Sequence, residues 1–176
     1  MRILAISGSL RSQSANTAVV RAAVKLAPRG MDVVIYEGLA ALPHFNPDLD
    51  DDRPPAPVLA LRRQIGLSQG LLICSPEYAR GVAGTMKNAL DWLVGSAEFP
   101  EMPVALVNAS QRATSADAHL RLTLTTMSAR LVETASITLP LLGRNLDADG
   151  IAADGALSGQ LRAALEEFAR AVALMR

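Results

Sequence analysis

Short apolar runs, each closed by turn-forming residues, recur along the chain at 2–6, 32–36, 70–74, 103–108 and 133–139. Their length and flanks predict five β-strands. Between them the apolar positions fall at helical spacing, over 15–27, 58–68, 84–94, 116–129 and about 157–175. Regular alternation of strand and helix predicts an α/β fold in three layers, a five-stranded parallel sheet with helices on both faces. Two stretches break this rhythm. Residues 38–57 are rich in proline and aspartate and residues 141–155 in glycine and aspartate, so both are expected to be surface loops. No repeat or dividing linker appears, and residues 1–176 read as a single domain.

With five strands, the expected sheet order is 2-1-3-4-5, the flavodoxin-like topology. Half of the residues are hydrophobic and only 3% aromatic, which suits aliphatic helices packed on a Val/Ile/Leu-rich sheet. Lys plus Arg (17) equal Asp plus Glu (17), so no net field draws the chain to nucleic acid or to an anionic membrane. One cysteine, Cys74, excludes a disulfide within the chain and points to a reducing compartment. No signal-peptide layout opens the chain, and no run approaches the roughly 20 apolar residues of a membrane helix, so a cytoplasmic protein is expected. Asp48 and Asp50 to Asp52 lack calcium-loop spacing, and His44 and His119 lack partners at zinc spacing, so no metal site is expected.

The chemistry lies at two predicted strand ends. After the first strand come Ser7-Gly8-Ser9-Leu10-Arg11 and then Ser14, Asn16 and Thr17, opening a helix. A helix N-terminus offers free N–H groups and a partial positive charge, and Ser9, Ser14, Thr17, Asn16 and Arg11 add donors suited to a phosphate. The glycine spacing of a P-loop or dinucleotide fingerprint is absent, which favours a monophosphate ester. The same Ser14 also reads as a plain helix N-cap. After the third strand come Ser75-Pro76-Glu77-Tyr78-Ala79-Arg80-Gly81, followed by Gly84. Here glycines permit close backbone approach to a flat ring, and Tyr78 offers a planar wall. The alternative is a turn that only joins strand to helix. Trp92 reads as packing in the core or at a subunit contact, and Cys74 as a buried, inert thiol.

Together these loops, with Lys87-Asn88-Ala89-Leu90-Asp91-Trp92 and the weaker Leu42-Pro43, Phe45-Asn46 and Asp48, resemble the NADPH-dependent FMN reductases. That is a flavodoxin-like group that includes quinone, azo-dye and chromate reductases. The resemblance implies that Ser9, Arg11, Ser14, Asn16 and Thr17 hold the FMN phosphate. Arg80 and Arg112 could attract a nucleotide phosphate or simply be solvated charges, and by the resemblance Pro76, Glu77, Tyr78, Ala79, Arg80 and Gly81 would follow the flavin ring, with Asn88 near its open face. It also implies NADPH or NADH as hydride donor, a small-molecule electron acceptor, and a homodimer or homotetramer. The chain departs from the family pattern at Ala79, at Ala83 and along 108–114. In such chemistry the protein positions rings and supplies no catalytic acid or base. A flavin-binding electron carrier or redox sensor is the alternative reading.

Overall fold

The computed structural model describes residues 1–175. The chain runs β1 (Arg2–Ser7), α1 (Ala15–Leu26), β2 (Asp32–Ile35), α2 (Ala56–Gly66), β3 (Gly70–Cys74), a hairpin of β4 (Glu77–Tyr78) and β5 (Gly81–Val82), and α3 (Gly84–Asp91). It continues through β6 (Pro103–Asn108), α4 (Thr114–Thr126), β7 (Arg130–Leu131), β8 (Ile137–Thr138), α5 (Ala148–Ala153) and α6 (Gly155–Leu174). The main sheet is parallel, in the order β2-β1-β3-β6, with β7 and β8 both pairing with β6. Helices cover both faces, and the fold is flavodoxin-like.

Side-chain alternation along each strand divides the core in two. Ile3 and Ala5 of β1, with Leu72 and Cys74 of β3, face α1, α5 and α6; Leu4 and Ile6, with Leu71 and Ile73, face α2, α3 and α4. Every residue of β3 is buried, as a central parallel strand covered on both faces requires. Gly70 lets α6 approach, since a Cβ there would stand 2.8 Å from the Phe168 ring. Trp92 and Leu93 are buried in the second cluster with Leu90, which assigns that stretch to the core, while Val94 is exposed. No helix among the described residues is long and apolar enough to cross a membrane.

Three features differ from the pattern read along the sequence. The fifth strand is two short pieces, one starting at Arg130, interrupted by a 3-10 turn over Glu133–Ala135. The Ser136 hydroxyl fills the gap: it accepts from Leu106 N–H (3.1 Å) and donates to Val132 C=O (3.0 Å), replacing a ladder bond. Second, the 141–155 stretch contains the helix α5, started by Asp147 Oδ1 on Gly150 N–H at 2.8 Å. Asp154 closes α5 and opens α6, accepting from Leu157 and Ala156 N–H. Its carboxyl is held below the usual range, first by the Leu157 bond and then by Arg144. Third, the 38–57 stretch contains two 3-10 turns, Gly38–Ala41 and Pro47–Leu49.

Candidate functional site

The chain leaves β1 for β2 on one side and returns to β3 on the other, so the connections that follow β1 and β3 run to helices on opposite faces of the sheet, α1 and α3. That switch point is where open α/β sheets form a ligand crevice. Register pairs Ser7 with Cys74, and Gly8 N–H donates to Cys74 C=O at 2.9 Å. The first loop is thereby laid directly on the second. Gly8 is required here, because a Cβ would come 2.3 Å from Ser75 Oγ. Thr85, in the first turn of α3, donates to Gly8 C=O at 2.9 Å and ties the two loops again.

An open cleft of about 1150 Å³ extends from this junction. Its walls are the α1 N-terminus, the start of the second loop, the 108–113 loop and residues 141–149. Ser14 caps α1, accepting weakly from Thr17 N–H at 3.5 Å, while the first-turn N–H groups of Ala15 and Asn16 are those a helix leaves without an internal partner. Thr17 Oγ1 is 2.9 Å from Ser7 Oγ, and Ser9 Oγ accepts from Arg11 N–H at 3.3 Å. Asn16 is buried, and its Oδ1 accepts from the Cys74 thiol at 3.3 Å. Burial pushes the Cys74 thiol up, so it stays protonated and serves as that donor. Arg11 and Arg112 are exposed at the cleft and have no ion-pair partner among the described residues.

Of the residues singled out in the sequence, Arg11, Ser14, Asn16, Thr17, Pro76 and Glu77 line this cleft. Ser9 shapes the first loop through its bond to Arg11. Tyr78, Ala79, Arg80 and Gly81 form the hairpin beside the cleft. Ala79 and Arg80 occupy its tip with φ of 48° and 63°, left-handed conformations that cost energy for residues bearing a Cβ. Tyr78 is 52% exposed. The Glu77 carboxylate accepts from Ala116 N–H at 2.9 Å and caps α4, whose own N-cap position, Ala113, has no side-chain oxygen. One side chain thus joins the hairpin to the first turn of α4, which follows the 108–113 loop.

Asn88 lies elsewhere. Its Oδ1 accepts from Phe45 N–H at 2.8 Å, and its Nδ2 donates to Pro43 C=O at 2.9 Å. Trp92 Nε1 donates to the same carbonyl at 2.8 Å, and its ring meets Phe45 edge-on, with centroids 5.0 Å apart. Arg62 completes the fastening, bonding Trp92 C=O and the Asp50 carboxylate, both at 2.7 Å.

Several cleft residues were not assigned a role from the sequence. Ser75 carries a buried hydroxyl with no hydrogen-bond partner among the described residues. Arg21 and Lys25 extend the lining down α1, and Leu142, Asn145 and Asp149 form the facing wall. The α1 residues follow Ser14 and Ala18 at helical spacing, a signal legible once the Ser14 cap is taken as one end of a site.

A parallel sheet whose switch-point crevice holds a helix N-terminus, a loop-on-loop junction and unpaired arginines defines a nucleotide-binding protein of the flavodoxin-like class. The model of the NADPH-dependent FMN reductase family matches residues 1–141, and the chain belongs to that family of oxidoreductases. Among curated relatives, an NAD(P)H-dependent FMN reductase of Pseudomonas aeruginosa is 33% identical over 155 residues, covering 85% of this chain and 83% of the relative. A quinone reductase of Escherichia coli is 37% identical over 106 residues, covering 60% and 55% respectively. Among solved structures, the flavoenzyme NAD(P)H:(acceptor) oxidoreductase FerB of Paracoccus denitrificans superposes with a TM-score of 0.76 at 28% identity, covering 96% of this chain and 97% of that one. FMN and NAD(P)H are the cofactor and hydride donor of this family, and its acceptors are small molecules.

Proposed function

We propose that this chain is an FMN-dependent NAD(P)H oxidoreductase that passes reducing equivalents to a free flavin, a quinone or a similar flat acceptor. The observation that carries this reading is the switch-point cleft, where the α1 N-terminus, Arg11 and the Ser14 and Thr17 hydroxyls converge. Those groups would hold the phosphate, with charge-assisted bonds from Arg11 the strongest. The residues fit such a ligand on three counts. Ser75 has a buried hydroxyl without a partner, Gly8 lets the first loop lie directly against the second at the cleft, and the donor set is one of amides, hydroxyls and guanidinium.

Pro76 to Gly81 would border the ring, with Tyr78 as an exposed flat surface and Arg80 beside an incoming nucleotide. Glu77 keeps the hairpin and the 108–113 loop at fixed separation through α4. Asn88 acts through Pro43 and Phe45, holding the loop after β2 in place. FMN, when bound, supplies the acceptance and onward transfer of a hydride, which asks no acid or base of the protein. The chain is further proposed to act as one cytoplasmic domain assembled into a homodimer or homotetramer.

The test is an absorbance spectrum of the purified protein with added FMN, followed by anaerobic titration with NADPH and NADH. Flavin bands that bleach rapidly with either nucleotide and recover on adding a quinone are expected. Protein that stays colourless after FMN addition overturns the reading. Bound flavin that neither nucleotide reduces makes the chain a flavin carrier.

A further inference from the structure

We propose that the cleft carries a second anionic subsite, along α1 beyond its N-terminus, that accepts the adenylate half of a flavin dinucleotide. The chain then binds FAD as well as FMN. This inference rests on the reading of the α1 N-terminus as the seat of the flavin phosphate.

The cleft does not stop at that seat. Its lining continues from Ser14 through Ala18 and Arg21 to Lys25. Those positions are separated by three or four residues, so they form one stripe on α1, roughly 16 Å long at the helical rise. Residues 142–149 form the opposite wall, beyond the end of the family match at residue 141. At the far end stand Lys25 and Asp149, ion-paired through Nζ and Oδ1 at 2.6 Å. A monophosphate ester bound at Ser14 leaves this length of groove empty.

The groove's chemistry suits an adenylate. Asp149 is engaged by Lys25, and Asp147 caps α5, so both carboxylates have partners. Arg21 is exposed and has no ion-pair partner among the described residues. Helical side chains tilt toward the helix N-terminus, which directs the Arg21 guanidinium back toward a phosphate next to the first. Farther along, Leu142 is 58% exposed against the groove, an apolar surface for a purine, and Asn145 offers an amide to its polar edge. The groove continues from the phosphate seat along α1, which favours a flavin dinucleotide over a nicotinamide dinucleotide, whose reacting ring must lie against the flavin ring.

Calorimetric titration of the flavin-free full chain with FMN and with FAD tests this, using wild type, Arg21→Ala and Arg21→Lys. Wild type is expected to bind FAD within about tenfold of FMN. Arg21→Ala should weaken FAD about tenfold or more and FMN less than about twofold, with Arg21→Lys retaining most FAD affinity. FAD binding more than about 100-fold weaker than FMN overturns the subsite, as does equal weakening of both flavins in Arg21→Ala. Failure of wild type to bind FMN overturns the cofactor reading and the subsite with it.

Discussion

The two flanks of the sheet's carboxyl edge use the same polar residue types to opposite ends. On the α2 and α3 flank, Asn88, Trp92, Arg62 and Asp50 bond one another and the backbone of the loop after β2. On the α1 flank, Arg11, Arg21 and the Ser75 hydroxyl find no such partners. An arginine whose donors are used by a carbonyl and a carboxylate stabilises the fold. One left facing a cleft with a helix N-terminus is available to an anion. The sequence motif around Asn88 and Trp92 is as conspicuous as the first loop, yet in this structure it is a fastening.

The sharpest way to break the contrast is Trp92→Ala. Removing a fully buried ring that also donates to Pro43 should cost about 3–5 kcal/mol of unfolding free energy by denaturant titration. FMN affinity of the folded fraction should hold. A large affinity loss at unchanged stability would move Trp92 to the ligand side. Arg11→Ala should do the reverse, weakening FMN by about 1.5–3 kcal/mol in calorimetry. Stability of that exposed-site variant should change by less than about 0.5 kcal/mol. Unchanged affinity removes Arg11 from the site. The smallest effect is expected at the hairpin between the flanks. Arg80→Gly relieves a left-handed conformation at some entropic cost, for a net gain of about 0.5–1 kcal/mol in a thermal or denaturant melt. A loss would mean that Arg80 makes contacts that outweigh its strain.

Much of the architecture could be read from hydrophobic spacing, because the four main strands are short, mostly apolar runs closed by turn residues. The fifth was read as continuous because Ala135, Ile137 and Leu139 alternate with polar residues as in a strand; Ser136 marks the break only through the backbone bonding its hydroxyl takes over. The helix α5 escaped notice because Gly150 lies inside it and aspartates flank it, although Asp147 is an N-cap of the preferred type. Half of the candidate site followed from the first loop, where local order along the chain matches order in space. The facing wall at residues 141–149 did not, since it meets α1 only through the packing of α5. Nor does the roughly forty-residue separation of Glu77 from Ala116 leave any trace in local pattern.

Trp92 is the only tryptophan in the chain, and it is fully buried, edge-on to Phe45 and bonded to Pro43. The protein therefore carries one tryptophan emitter, which can be excited apart from its two tyrosines, placed where the loop after β2 is fastened. Its emission should be blue-shifted while Pro43 and Phe45 stay in place and should move to the red when that loop peels away. Local detachment could then be timed separately from global unfolding, with no label attached.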